Sequence, residues 1–341
     1  MRAFALEPEA ITEERVVGTV LCQNVVAADA EGRHRIDKGQ ILTADDIPAL
    51  RAAGEELHLI AMEPGDLHEN AASTRLARAV AGDGLDIGPP VESQTHLRAA
   101  RRGIVEVDTD ALRRINLLPD MSVFTVYDGQ PVLESKPVAA TKVTPLVVPE
   151  EVVARAEEIA RDAAPVVRVR PFTGGAVGVV VRERIGGRAR ERFESAIQMK
   201  VGWFGSPVAG IRYLSDDVEE IASALDCFTA EGVSLILAAG VNSTDPLDLT
   251  IQALDRLGAE TERRGVPAHP GSTCWLSYLG DVPVFGLAMC GMFSRTTVLD
   301  LLLPRFLSGQ RVRAEEIAEF GHGGVLNKDM AFRFPPYTDA S

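Results

Sequence analysis

The sequence contains no long apolar run, although 46% of its 341 residues are hydrophobic. No stretch reaches the roughly 18 uninterrupted apolar residues that a membrane-spanning helix needs. The first residues, MRAFALEPEAITEERVV, place acids where a signal peptide would have its apolar core. We therefore expect a cytoplasmic protein without a membrane partner, long enough to form two or three compact units.

Cysteine pairs and an excess of basic residues are also lacking. The four cysteines, Cys22, Cys227, Cys274 and Cys290, are scattered without the close spacing of a zinc knuckle or a redox dithiol. The formal net charge of −14 disfavours nucleic acid as a partner, because its phosphates require a compensating basic surface. An anionic small molecule is compatible with this charge, since the amide groups at a helix N-terminus can bind phosphate locally.

Residues 1–165 have the pattern of an α+β region built from short strands and helices. Thr43 and Asp46 have the spacing of a capping box before a helix. The segment HLRAARR is predicted to be helical, and the Asp128–Gly129 pair predicts a hairpin turn between two strands.

Strands alternate with helices from about residue 170 onward. Apolar strand patterns cover residues 176–181, 208–214 and 233–239, and a helical pattern follows each of them. The alternation predicts an α/β fold, a three-layer, doubly wound, mostly parallel sheet with helices on both faces. We place this domain at residues 170–309 and expect a C-terminal arm over residues 310–341.

The turn after the strand at 233–239 carries a group of small and polar residues, namely Gly240, Asn242, Ser243, Thr244 and Asp245. Asp248 follows in the first turn of a helix that is predicted to begin near Pro246, with Asp245 as its N-cap. A glycine that permits close backbone approach, hydroxyl and amide groups, and a free helix end suit a phosphate or a polar ring. Capping alone would also explain Asp245 and Pro246, so both interpretations stay open.

A second acidic group, which includes Asp216, follows the strand at 208–214. If this strand and the one at 233–239 are neighbours in one parallel sheet, Asp216 and Asp248 reach the same edge, where ligands bind in such sheets. Two carboxylates there are suited to hold a metal ion or to orient a polar heterocycle.

A third candidate region follows later in the chain. Pro270 and Gly271 form a turn signal, and Ser294 is the predicted N-cap of a helix over residues 295–307. Arg295 at the start of this helix opposes the helix dipole, which favours a phosphate-binding role for its side chain.

These motifs resemble the molybdopterin-binding domain shared by molybdenum insertases and related molybdenum-cofactor proteins. They occur in the order LSDDVEEI, LILAAGVNSTDPLDLT, HPGS and PVFGLAMCGMFS. In that family, acid-bearing turns and a glycine-rich loop bind the pyranopterin and its phosphate. By this resemblance Gly240 is a loop glycine, Asp216 belongs to the acid–acid turn, Asp248 and Thr250 form the aspartate-x-threonine ending, and Pro270–Gly271 is a later turn.

The N-terminal half adds to the resemblance. The stretches KGQILTADDIPALRAAG and HENAASTRLARAVAG are similar to the leader of bacterial proteins in which this module is fused to a cytidylyltransferase-type domain. The chain shows no nucleotidyltransferase signature, so the resemblance implies a freestanding form of the module.

The resemblance implies a protein that binds molybdopterin, free or nucleotide-linked, and acts in molybdenum cofactor biosynthesis. It further implies catalytic and Mg²⁺-binding roles for Asp216 and Asp248, molybdate as a substrate, and a homo-oligomer. Several elements depart from the family pattern, among them the loop glycine pair, which has become Ala239-Gly240. Arg182-Glu183-Arg184 replaces a Thr-Gly-Asp-Glu element, and the Leu-Pro-Gly turn has become a different sequence from Leu287 to Gly291. Molybdate insertion into (adenylyl-)molybdopterin and a non-catalytic carrier or chaperone role therefore both stay open.

Two further function classes are alternatives to molybdopterin binding. A nicotinamide oxidoreductase requires a Gly-x-Gly-x-x-Gly turn directly after a strand, whereas the glycines near residue 175 precede the strand. A small-molecule sensor or interaction module, in which the N-terminal region matters more than the acidic turns, is the other alternative.

Overall fold

The chain divides into two compact units. The computed structural model describes residues 1–29, 32–163, 165–182, 186–287 and 295–337. The first unit comprises Met1–Ala100, Val107–Val126 and Ser135–Arg168. The second comprises Arg101–Glu106, Tyr127–Glu134 and the chain from Val169 onward. The second unit therefore includes two short segments that precede residue 135.

Short strands and helices alternate irregularly up to residue 171. The strands are β1 (Arg2–Leu6), β2 (Thr19–Leu21), β3 (Val25–Asp29), β4 (Gly32–Ile36), β5 (Leu57–Ala61), β6 (Asp66–His68), β7 (Leu85–Val91), β8 (Gln94–Ala99), β9 (Gly103–Val107), β10 (Met121–Thr125), β11 (Pro131–Val132), β12 (Pro137–Val143), β13 (Val147–Pro149) and β14 (Val167–Pro171). The helices are α1 (Glu13–Val16), α2 (Ile47–Ala53), α3 (Glu69–Val80), α4 (Thr109–Asn116) and α5 (Glu150–Ala163).

The paired strands of the first unit run antiparallel. One sheet has the order β1-β5-β2 and another the order β10-β12-β8-β7. The predicted capping box is confirmed, because the Thr43 amide donates to the Asp46 carboxylate at 2.8 Å directly before α2. Within the described ranges, no helix has the length and apolar character that crossing a membrane requires.

Two predictions for the first half are wrong. Most of the segment HLRAARR lies in strand β8, where Thr95, Leu97 and Ala99 are buried and alternate with more exposed residues. The strands on either side of Asp128–Gly129 do not form a hairpin, because β10 pairs with β12 while β11 pairs with β9.

The second unit contains the α/β fold that the sequence predicts. Its strands are β15 (Val177–Val181), β16 (Val208–Tyr213), β17 (Leu235–Ala239), β18 (Glu260–Arg264), β19 (Trp275–Leu279) and β20 (Val282–Gly286). Its helices are α6 (Arg188–Trp203), α7 (Val218–Ala230), α8 (Leu249–Arg256), α9 (Val298–Leu307) and α10 (Ala314–Glu319). The six strands form one sheet in the order β16-β15-β17-β20-β19-β18; the first four are parallel, and β19 and β18 add antiparallel pairs at one side.

Helices cover both faces of this sheet, which gives three layers. On one face, Val179, Leu237 and Phe285 pack with residues of α6 and α9. On the other face, Val180 and Ile236 pack with residues of α7 and α8. Buried strands with apolar residues on both faces are the pattern of a parallel sheet enclosed by helices.

The chain after residue 309 completes the core on the α6 and α9 face. Its buried residues in that core are Val312, Ile317, Phe320, Leu326, Phe334 and Tyr337. The hydroxyl group of Tyr278 in β19 donates a hydrogen bond to the carbonyl of Val312 at 3.0 Å. The segment from Val312 to Tyr337 thus contributes to the packed interior of the second unit.

Tyr278 should make stability depend on pH in the alkaline range. Burial raises the pKa of Tyr278 from 10.0 to about 12. The folded protein then holds a proton that the unfolded chain releases, so stability falls as the pH rises from 10 to 12, by on the order of 2 kcal/mol. Urea unfolding at several pH values checks this, with Tyr278→Phe as control. An equal alkaline loss in both proteins would contradict the assignment.

Candidate functional site

Three loops that carry candidate residues follow the carboxyl ends of parallel strands. Arg182 follows β15, the acidic turn with Asp216 follows β16, and the turn from Gly240 to Asp248 follows β17. From the sequence, Asp216 and Asp248 are expected at one edge if β16 and β17 are neighbouring strands. These strands are not neighbours, because β15 lies between them. Arg182 therefore emerges between the two acidic turns.

The turn after β17 is held by hydrogen bonds within itself. Gly240 has φ +78°, a left-handed conformation that glycine adopts without strain. The Asp245 amide donates to the Asn242 carbonyl at 3.0 Å, and the Thr244 hydroxyl donates to Asn242 Oδ1 at 2.8 Å. Ser243 lies between them and is partly exposed. The turn thus presents amide and hydroxyl groups in a fixed arrangement.

The helix after this turn begins later than the sequence predicts. It starts at Leu249, and its N-cap is Asp248, whose Oδ1 accepts from the Thr250 amide at 2.8 Å. Asp245 instead accepts from the Leu247 amide at 2.9 Å, outside the helix. The prediction of Asp245 as the cap of a helix from Pro246 is therefore wrong.

Asp248 is buried and accepts four hydrogen bonds. Its Oδ1 accepts from Arg182 Nη1 at 2.9 Å and from the Thr250 amide, and its Oδ2 accepts from Arg182 Nη2 at 2.7 Å and the Asn242 amide at 2.9 Å. Its side chain is 1% exposed. This carboxylate joins the end of β15, the turn after β17 and the first turn of α8.

Asp216 lies on the other side of the same guanidinium group. Its Oδ1 is 3.7 Å from Arg182 Nε, and its side chain is 67% exposed. The neighbouring Asp217 is the N-cap of α7, accepting from the Glu219 amide at 2.7 Å. Asp216 itself is therefore a solvent-facing carboxylate at the edge where Arg182 and Asp248 form a buried pair.

These residues do not fit a divalent cation. Mg²⁺ requires near-octahedral oxygen ligands at about 2.0–2.1 Å, whereas the cationic group of Arg182 occupies the space between the two carboxylates. Among the described residues, no group of three or more histidine, cysteine, aspartate or glutamate side chains is placed to hold a metal. Magnesium binding by Asp216 and Asp248 remains a prediction from the sequence alone.

Pro270 and Gly271 pack against the start of α9. The Pro270 carbonyl accepts from the Val298 amide at 3.1 Å. The cap of this helix is Thr297, whose amide donates to the Asp300 carboxylate at 3.0 Å, so the predicted start at Arg295 is wrong. Ser294, the predicted cap, lies outside the described residues. Because β19 runs antiparallel to β20, this loop lies at the carboxyl edge of the parallel strands.

Gly271 should tolerate no side chain. It has φ +120°, and an added Cβ atom would lie 2.7 Å from Val298 Cβ. Gly271→Ala should therefore lower the free energy of unfolding by roughly 2–4 kcal/mol through backbone strain and overpacking. Gly258→Ala is a matched control, since Gly258 has φ +71° but no atom within 4 Å of the added group. Equal thermal midpoints for the two variants would contradict the predicted clash.

Two further arginines of the second unit are exposed although the chain is acidic. Arg295 is exposed, and its Nη2 lies 3.4 Å from Met199 Sδ. Arg188, the first residue of α6, is also exposed. Exposed guanidinium groups of this kind are suited to an anionic ligand.

Several residues of interest in the sequence lie outside the described residues. They are Ser294, Glu183, Arg184, Cys290 and the remaining residues of the altered turn at 288–294. In the sequence, Arg182 stands out only as a departure from a family motif. Its pairing with Asp248 joins residues 66 positions apart, so no local pattern indicates it.

A second buried ionic group was also missed. Lys200 Nζ donates to Asp300 Oδ1 at 2.5 Å, and the Tyr337 hydroxyl donates to the same oxygen at 2.6 Å. Burial lowers the pKa of Lys200 and raises that of Tyr337. The Thr297-x-x-Asp300 spacing is a local capping signal, but nothing local predicts Lys200 as a partner.

Comparisons with known proteins agree with the motifs of the second half. Residues 176–319 match the family described as "Probable molybdopterin binding domain", and residues 10–63 match a domain of unknown function (DUF8806). A crystal structure of the molybdopterin biosynthesis MoeA protein from Pyrococcus horikosii is similar at 11% sequence identity, with a TM-score of 0.31 over 90% of this chain and 75% of that chain. A search of curated proteins finds no match. Residues 176–319, which contain the turns after β16 and β17, are thus similar to the probable molybdopterin-binding family.

Proposed function

We propose that the protein binds molybdopterin at the carboxyl edge of the second-unit sheet and acts in molybdenum cofactor biosynthesis. The observation that carries the proposal is the turn from Gly240 to Asp248, which lies within the matched family region and is fixed to Arg182 through Asp248. A preorganised polar turn suits a ligand with a polar ring and a phosphate.

The candidate residues divide into two groups by their surroundings. The exposed or partly exposed polar groups of Asn242, Ser243, Thr244 and Asp216 are available to the pterin ring. The exposed guanidinium of Arg295 is suited to the phosphate, with Ser294 as a sequence-predicted neighbour.

The remaining candidates hold the turns in shape. Thr250 is buried and contributes its amide to Asp248, while Gly240, Pro270 and Gly271 shape the turns. Asp245 holds the turn through the Leu247 amide. Their expected role is to position the groups that contact the ligand.

The paired state of Asp248 favours a carrier or chaperone over an insertase. Insertion of molybdate into (adenylyl-)molybdopterin would call for a free cation-binding carboxylate, and Asp248 is already bonded to Arg182. A molybdate-dependent cofactor reconstitution assay separates the two roles. We expect binding without turnover, and molybdate-dependent formation of active cofactor would instead support the insertase.

Mass spectrometry of small molecules released from the purified full-length protein tests the binding proposal. We expect a pterin to be released and molybdopterin to bind in a fluorescence titration. The proposal fails if no pterin is released and the titration shows no saturation. An absorbance change on addition of NADH would instead support the oxidoreductase alternative. Gel filtration with light scattering checks the proposed homo-oligomer.

A further inference from the structure

We propose that the guanidinium group of Arg182 takes the place of a divalent cation between Asp216 and Asp248, so that this site works without a bound metal. The inference rests on the ion-pair geometry and is independent of which ligand the site binds.

The hydrogen-bonding capacity of the Asp248 carboxylate is fully used. Each of its two oxygens accepts two hydrogen bonds, one from Arg182 and one from a backbone amide. A carboxylate has about four lone-pair directions, and all are in use. A metal ion can reach Asp248 only if Arg182 leaves.

The planar guanidinium group of Arg182 fits the Asp248 carboxylate. The two parallel bonds from Arg182 to Asp248 are the bidentate geometry that a planar guanidinium forms with a carboxylate. The side chain of Arg182 is 15% exposed and that of Asp248 is 1% exposed. Loss of one partner would leave an uncompensated charge in a buried place, so the pair resists separation.

Arg182 also changes the charge that an anionic ligand would meet at this site. Acidic side chains alone would repel a phosphate, and a divalent cation is one way to remove that repulsion. Arg182 neutralises Asp248 from within the chain. The positive charge at this position is therefore supplied by a side chain.

The test is a titration with Mn²⁺, which reports on magnesium-type sites by electron paramagnetic resonance. We expect the wild-type protein and Asp248→Asn to bind Mn²⁺ equally, with no site that depends on Asp248. Arg182→Gln should gain one site, because it frees Asp248, and Mn²⁺ should raise its thermal midpoint by several degrees. The double variant Arg182→Gln with Asp248→Asn should lose both effects.

Two results would overturn the proposal. One is a wild-type Mn²⁺ site that Asp248→Asn removes, since Arg182 would then yield to a cation. The other is a folded Arg182→Gln protein that gains no site. If Arg182→Gln does not fold, the comparison of wild type with Asp248→Asn decides. Failure of pterin binding would leave these metal results unaffected, so the two proposals fail separately.

Discussion

Replacement of Asp300 by asparagine should lower the free energy of unfolding by about 3–5 kcal/mol, because it removes the negative charge that lies beside the buried Lys200 ammonium group. Lys200 and Asp300 side chains are 1% and 0% exposed and lie 2.5 Å apart. Asparagine keeps the shape of Asp300 but removes its charge. Urea unfolding at neutral pH measures the loss.

A double variant separates charge from packing. Lys200→Met with Asp300→Leu removes both charges and should be closer to wild type than Asp300→Asn. Burial already lowers the pKa of Lys200, and loss of Asp300 should lower it further. Folded Asp300→Asn then binds fewer protons than its unfolded chain. Its loss of unfolding free energy should therefore become smaller as the pH rises. If Asp300→Asn loses less than about 1 kcal/mol of unfolding free energy at neutral pH, the stabilising role of the Lys200–Asp300 pair is contradicted.

Replacement of Asp248 by asparagine should weaken molybdopterin binding by on the order of 10- to 100-fold. Asp248 accepts from Arg182 and from the Asn242 and Thr250 amides, so it fixes the turn that we propose meets the ligand. An amide group cannot accept both bonds from the guanidinium. A fluorescence titration with molybdopterin, on protein whose fold is confirmed by circular dichroism, measures the change.

Asp245→Asn is the matched control for this experiment. Asp245 is exposed in the same turn, and its side chain accepts from the Leu247 amide, a single bond that the oxygen of an asparagine side chain also accepts. We expect its affinity for molybdopterin to stay within a few-fold of wild type. Equal affinities of wild type and Asp248→Asn would remove the support for this turn as the binding site and favour the sensor alternative.

The sheet of the second unit could be predicted because its strands and helices have distinct periods. The strand Val177–Val181 is buried throughout, and the helix Arg188–Trp203 begins and ends where the sequence pattern does. In the first half, Leu97 and Ala99 alternate with polar residues in β8, but the helix propensity of the neighbouring alanine and arginine residues conceals this period.

The candidate site was predictable only in its local parts. A turn after a parallel strand follows from the order of residues, so Gly240 to Asp248 could be found. The order of strands in the sheet cannot be read from the sequence, and it is this order that brings Arg182 between Asp216 and Asp248. The helix starts at Leu249 and Val298 were missed because several aspartate, serine and threonine residues compete as caps.

The burial of apolar side chains between Val312 and Tyr337 in the core of the second unit has a consequence for how the protein is made. Ile317, Phe320 and Phe334 close the interior of the second unit, and Tyr337 bonds to Asp300 inside it. During translation this interior stays open until the residues from Val312 to Tyr337 have been synthesised. A nonsense mutation directly after codon 309 would therefore yield a polypeptide with an apolar face exposed, which makes it a substrate for chaperones and proteases.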